Sequence, residues 1–98
     1  MPKLKECAVE KYFNDRVRET GGETRKVIWV GRKGAPDRLA GWPNGRHAFV
    51  ELKSKAQSWG LQPAQARELA RIRSWGLDVW IIDSDIEVDR FVNQMTGE

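Results

Sequence analysis

The reading of this chain turns on one stretch: Gly34-Ala35-Pro36-Asp37-Arg38-Leu39-Ala40-Gly41-Trp42-Pro43-Asn44-Gly45-Arg46-His47-Ala48-Phe49-Val50-Glu51-Leu52-Lys53. Asn44-Gly45 signals a hairpin, because a tight hairpin turn needs positive φ at its centre. Two strands are therefore expected to meet there, one leaving Asp37 and one arriving at Lys53. Side chains alternate across a strand, so Glu51 and Lys53 share one face and Leu52 takes the other. The returning strand brings Glu51 beside Asp37. Two carboxylates and one ammonium then converge at one end of a small sheet.

That grouping has a chemical logic. Mg²⁺ (or Mn²⁺) prefers oxygen ligands and keeps waters beside one or two carboxylates. Asp37 and Glu51 can hold such an ion, with the Leu52 backbone carbonyl as a further oxygen. Lys53 can orient an attacking water or offset charge on a scissile phosphate. A bare Glu-x-Lys is common on surface hairpins and says little alone. Pro36-Asp37 upstream, the hairpin between, and apolar Phe49, Val50 and Leu52 around the carboxylate make the pattern more specific.

Upstream of Pro36-Asp37 lies Gly31-Arg32-Lys33-Gly34, whose glycines allow close backbone approach and whose cations suit phosphate. A solvated turn is the commoner reading of such a tetrapeptide. Downstream, Ser54 to Leu61 reads as a loop bordering the same end, with Lys55 and Trp59. Arg32, Lys33, Arg38 and Lys55 are the candidate phosphate contacts.

A helix is predicted from Leu4 to about Glu19, with Val9, Phe13 and Val17 at helical spacing. Glu6 and Glu10 lie on or near that stripe, where a carboxylate is costly unless it is paired or metal-bound. The plainer alternative puts Glu6 in the first turn, complementing the helix dipole, and Glu10 at the stripe's edge. Gly21-Gly22 ends the helix. Arg25 to Val30, with Val27, Ile28, Trp29 and Val30 in series, reads as a buried strand.

Pro63 suits the first turn of a second helix with Leu69 and Ile72 as its stripe, aided by Ala66 and Ala70, and Gly76 as its cap. Arg67 and Arg71 share a face of it, most simply a solvated one. Leu77 to Ile82 is a second buried strand. Ser84-Asp85-Ile86-Glu87 is a capping box that opens a last helix carrying Ile86, Val88, Phe91, Val92 and Met95. Trp29 and Trp80 read as core. Trp42 and Trp59 can stack on an unpaired base or pack on a sheet edge or second subunit.

Ninety-eight residues predict one domain, 1–98. With 40% hydrophobic and 32% charged residues the composition suits a globular fold. No apolar run is long enough to cross a membrane, and the charged start is not a secretory signal. Cys7 is the only cysteine, so neither an internal disulfide nor a cysteine zinc site is possible. Both points fit a reducing cytoplasm. A net charge of +3 favours a polyanionic partner only weakly, since a carboxylate centre with a basic rim keeps the sum small.

Pro36-Asp37 followed by Glu51-Leu52-Lys53 resembles the PD-(D/E)xK nuclease superfamily. More narrowly, the chain resembles the VRR-NUC (virus-type replication-repair nuclease) family. The shared pattern takes in Gly21-Gly22, Gly34-Ala35-Pro36-Asp37-Arg38, Phe49-Val50-Glu51-Leu52-Lys53, Leu61-Gln62-Pro63-Ala64-Gln65, Leu69 and Gly76. The resemblance implies an α/β restriction-endonuclease-like core, a central mixed sheet flanked by helices, in the order helix–strand–strand–strand–helix–strand–helix. It implies a Mg²⁺- or Mn²⁺-dependent endonuclease acting on DNA, with four-way junctions among the implied substrates, in replication, repair or recombination. It also implies that a first-helix glutamate, Glu6 or Glu10, completes the metal site, and that Gln65 supports the catalytic group. A homodimer is expected, because two coordinated cuts need two sites. The competing expectations are a site-specific restriction endonuclease and a non-catalytic DNA-binding module.

Overall fold

The computed structural model describes residues 4–53 and 62–97, without the side chains of residues 4–7. The order is α1 (Leu4–Glu19), β1 (Glu23–Lys26), β2 (Arg38–Gly41), β3 (His47–Leu52), α2 (Pro63–Ser74), β4 (Val79–Ile82) and α3 (Asp85–Thr96). This is the expected order, and the first helix has the expected bounds. The four strands form one mixed sheet, β1-β2-β3-β4. The first three are antiparallel neighbours, and β4 joins β3 in parallel through α2.

The pleat sorts side chains onto two faces. Ala40, Ala48, Val50 and Ile82 meet Phe13, Val17, Val88, Phe91, Val92 and Met95 of α1 and α3. Each of the larger side chains among them stabilises the fold by about 1.5–3 kcal/mol through burial. Tyr12 and Arg16 of α1 both donate to Asp89 Oδ1 of α3, at 2.8 and 3.0 Å, locking the two helices together. On the other face Phe49, Val79 and Ile81 pack on Leu69 and Ile72 of α2. Glu51 lies two residues from Phe49, so it faces α2 as well.

Turn chemistry closes the elements. Gly21 has φ +92°, and the N–H groups of Gly21 and Gly22 bond the carbonyls of Arg18 and Val17, ending α1. Ser84 caps α3 by accepting from the Glu87 N–H. Glu87 in return accepts from the Asp83 N–H, one residue before the cap. Among the described residues no helix is long and apolar enough to cross a membrane.

Several local expectations differ from what the chain does. The first strand ends at Lys26, and Ile28 and Val30 stand 83% and 92% exposed. Val27 makes the last bond to this neighbour, its N–H donating to the Asp37 carbonyl. Beyond that point Pro36 has no N–H to offer and the chain bends through Gly34 and Gly31, both at positive φ. Among the described residues no partner strand faces 28–30, so β-prone residues there stay outside. Only Trp29 turns inward, stacking on Phe49 at 5.4 Å.

The hairpin turn is also of another kind. Gly45 has φ +91° while Asn44 does not have positive φ. The Gly45 N–H reaches the Trp42 carbonyl, so Pro43 and Asn44 form the centre of the turn and left-handed Gly45 follows. Trp42 is core: its Nε1 donates to Thr20 Oγ1 at 2.9 Å and its ring lies 5.7 Å from Phe91. It therefore has no face to offer a base or a subunit. Trp59 lies outside the described residues. Ala66, Ala70 and Ile86 are exposed rather than part of their helices' buried stripes.

Candidate active site

The site grows from the β2–β3 register. The last ladder pair is Arg38↔Val50, which puts Asp37 opposite Glu51 one step further on. Pro36, just before, is held by Trp29, whose Nε1 donates to the Pro36 carbonyl at 2.7 Å. Phe49 and Leu52 anchor β3 in the two cores on either side of Glu51. The Lys53 N–H continues the parallel pairing by bonding the Ile82 carbonyl at 2.8 Å. Glu51 thus sits within β3, and Asp37 sits just before β2 with its carbonyl held by the Val27 N–H.

Gln65, in the first turn of α2, closes the group. Its Nε2 donates to Glu51 Oε2 at 2.8 Å, and its Oε1 accepts from Lys53 Nζ at 2.7 Å. Lys53 Nζ itself stands 3.9 Å from Glu51 Oε2. One amide therefore fixes the carboxylate and the ammonium at once. Gly34 makes this possible from the other side. A Cβ there would lie 2.7 Å from Gln65 Cα, so the loop before Pro36-Asp37 rests directly on the start of α2.

Electrostatics single out Glu51. Burial first, then the neighbouring charge of Asp37, push its carboxyl above the ordinary range; the Gln65 bond, Lys53 and the Asp37 N–H pull the other way. Its Oε1 is buried and accepts no hydrogen bond among the described residues. A buried oxygen of this kind, next to a second carboxylate, is costly as it stands. A hard divalent cation answers both problems, because it prefers carboxylate oxygen and offsets the repulsion. No group of three His, Cys, Asp or Glu side chains gathers among the described residues. Two carboxylates side by side are the kind of oxygen donor set that Mg²⁺ with its waters commonly takes.

The remaining sequence candidates fall elsewhere. Arg38 pairs with Glu10 of α1, and its side chain is only 13% exposed. Glu10 thus has a cation to balance it, and Arg38 is turned in rather than out along a rim. The Glu6 side chain and all of Lys55 lie outside the described residues. Lys33 is exposed. Arg32 reaches across to α2, where Nη2 donates to Glu68 Oε1 at 2.7 Å and Nε to Oε2 at 3.4 Å. Glu68 is 3% exposed and also takes Arg71 Nη1. The sequence reading missed Glu68. The available signal was its position three residues after Gln65 and one before Leu69, on the face that α2 buries.

A surface groove of about 570 Å³ runs past Leu39, Trp42, Arg46 and His47 at the hairpin end of the sheet. Asp37, Glu51 and Lys53 do not line it, so it is separate from this chemistry.

A mixed sheet with paired carboxylates, a lysine two residues on and a glutamine-bearing helix defines a nuclease-type α/β domain. No family model matches the chain. Over 81 residues it is 40% identical to a protein described as "Putative nuclease p44", from Acyrthosiphon pisum secondary endosymbiont phage 1. The match covers 83% of this chain and 85% of that protein. A solved structure described as "VRR_NUC domain" superposes with a TM-score of 0.79 at 38% identity, covering 91% of this chain and 95% of the other. The chain belongs to the VRR-NUC family, and it is a nuclease.

Proposed function

We propose that this chain is a single-domain, divalent-metal-dependent endonuclease that hydrolyses DNA phosphodiester bonds, with four-way junctions as its favoured substrate. The observation that carries the reading is the opposed pair Asp37 and Glu51, with Lys53 and Glu51 both tied to Gln65. A module that only bound DNA would gain nothing from two carboxylates beside a phosphate.

Asp37, Glu51 and the Leu52 carbonyl would hold Mg²⁺ or Mn²⁺, with Glu6 of α1 as the glutamate that completes the set, since Glu10 is paired with Arg38. When bound there, such an ion would supply Lewis-acid stabilisation of phosphate charge and lower the pKa of a water. The chain's own groups do the rest. Gln65 sets the rotamers of Glu51 and Lys53 before substrate arrives, which lowers the reorganisation cost of the reaction. Lys53 Nζ donates to the attacking water or to a non-bridging phosphate oxygen as charge builds. A water oxygen–phosphorus bond forms as that water gives up a proton to solvent, one phosphorus–oxygen ester bond breaks, and the departing oxygen takes up a proton from solvent. Arg32 and Lys33, on the loop before Pro36, contact backbone phosphates.

Gln65→Ala is expected to slow cleavage by about 10–100-fold, the usual cost of losing a partner that orients a metal ligand. Its melting temperature should fall modestly, because the Glu51 carboxylate loses a donor and Lys53 an acceptor. An unchanged rate would remove Gln65 from the machinery.

The enzyme works as a homodimer in this reading, since one site cuts one strand and a junction needs two cuts. Exposed Trp75 and Ile86 are apolar surface that such an interface can bury. The defining experiment is a cleavage panel of labelled four-way junctions, flaps, duplexes and single strands in Mg²⁺, Mn²⁺ or EDTA. Sedimentation on the same preparation should give about twice the 11.3 kDa chain mass. Paired cuts in junctions, abolished by EDTA, are expected. Cleavage that survives EDTA would refute the metal, and an active monomer would refute the dimer.

A further inference from the structure

Arg32, Glu68 and Arg71 form a cluster that the hydrolytic step does not use. Glu68 is one of the most buried charged side chains described, at 3% exposure. Two guanidiniums converge on its Oε1, one from the Gly31–Gly34 loop and one from α2. The Arg32 bond, reinforced by the charges of both arginines, holds its carboxyl below the ordinary range despite burial. Glu68 is therefore ionised, and the cluster carries one surplus positive charge.

The arginines are not used up by this contact. Their side chains are 50% and 48% exposed. Each guanidinium has five N–H donors, of which Arg32 spends Nε and one Nη2 hydrogen on Glu68. The outward edges remain in water as two rigid, neighbouring forks. Such forks match phosphate oxygens two at a time, and losing side-chain freedom costs them little once a buried anchor already holds them. Glu68 lies three residues after Gln65 on the same helix, about 4.5 Å along its axis. The cluster therefore sits about one helical turn along α2 from the residue that holds Glu51 and Lys53.

We propose that Glu68 is a positioning residue that holds Arg32 and Arg71 as a paired clamp for a backbone phosphate flanking the scissile one. This rests on the nuclease reading above and adds to it a second, non-catalytic phosphate site. A plain loop-to-helix staple is the alternative role of Glu68.

The sign of one substitution separates the two. Glu68→Gln removes a negative charge, so simple charge counting predicts tighter binding to DNA. The clamp predicts weaker binding, because the forks lose their anchor. The probe is a fluorescein-labelled four-way junction and a matching duplex, titrated by anisotropy with the full chain in EDTA, between about 50 and 200 mM salt. Arg32→Ala and Arg71→Ala should each lower the salt slope on duplex by about 0.9, as for one lost phosphate contact. Glu68→Gln should weaken affinity several-fold in the same direction. Arg90→Ala, on α3 in the opposite layer, loses the same charge and should leave the slope alone.

Tighter or unchanged binding by folded Glu68→Gln would overturn the proposal. So would unaltered slopes for both arginine variants, or an Arg90→Ala effect as large as theirs. If circular dichroism shows Glu68→Gln unfolded, the two arginine variants and the Arg90 comparison decide. A wild-type chain that binds neither probe removes the DNA-junction reading proposed above; normal wild-type binding with any of these negative results removes only the clamp.

Discussion

Glu51→Gln is expected to slow cleavage by roughly 10³-fold or more while making the metal-free protein more stable at neutral pH. The two effects share one cause. Burial and then Asp37 raise the Glu51 pKa in the folded state. The folded chain thus binds more protons than the unfolded chain between the ordinary carboxylate pKa and the raised one. Stability accordingly falls as pH climbs through that window, and ionised Glu51 is a standing cost above it. Glutamine keeps an oxygen to accept from Gln65 Nε2 and removes the charge. A gain of roughly 0.5–2 kcal/mol is the usual size of a single stabilising substitution. The same change deletes an anionic ligand, so binding of a divalent ion and turnover go with it. Melting curves in EDTA at several pH values should show the variant's advantage growing from acid to neutral. Added Mg²⁺ should stabilise the wild type and not the variant. Asp37→Asn should lose cleavage to a similar degree. Either variant cleaving at the wild-type rate would refute the assignment of both carboxylates. A Glu51→Gln protein less stable than wild type at neutral pH would refute the electrostatic account of the site.

Gly34→Ala is expected to cost about 2–3 kcal/mol and to lower the melting temperature by roughly 10–20 °C. Two penalties add at this position. The backbone φ is +82°, where any Cβ is disfavoured. The new methyl would also lie 2.7 Å from Gln65 Cα and 3.2 Å from its nitrogen, both backbone atoms of α2 that cannot turn aside. Relief requires the loop to lift off the helix, which carries Pro36-Asp37 away from Gln65. Activity should therefore fall even below the new melting temperature. Gly31→Ala isolates the first penalty, since its φ is +78° but nothing lies within 4 Å of a Cβ there. It should cost about 1–2 kcal/mol and leave the rate near normal. Equal destabilisation by the two alanines would mean that the loop does not rest on α2.

The sequence by itself determined whatever depends on neighbours a few positions apart. The α1 stripe of Phe13 and Val17, the apolar run of β4 and the Ser84 cap follow from local periodicity and turn chemistry. Glu51 and Lys53 share a side because strand alternation fixes it, and Asp37 meets Glu51 because a hairpin of that length returns there. The register survives although the turn at Pro43-Asn44-Gly45 is of another type, since the loop length is what sets it. Tertiary structure alone decided which charges met across long separations. Arg32 finds Glu68 thirty-six positions away, and Arg38 turns to Glu10 on the first helix. It also decided that Trp42 is core and that Ile28 and Val30 are not, though all three are large and apolar. Burial depends on whether another element covers a face, and ion pairing on which groups the packed layers bring within reach. Both are properties of the assembled sheet and helices, and neither leaves a repeat in the sequence from which to read it.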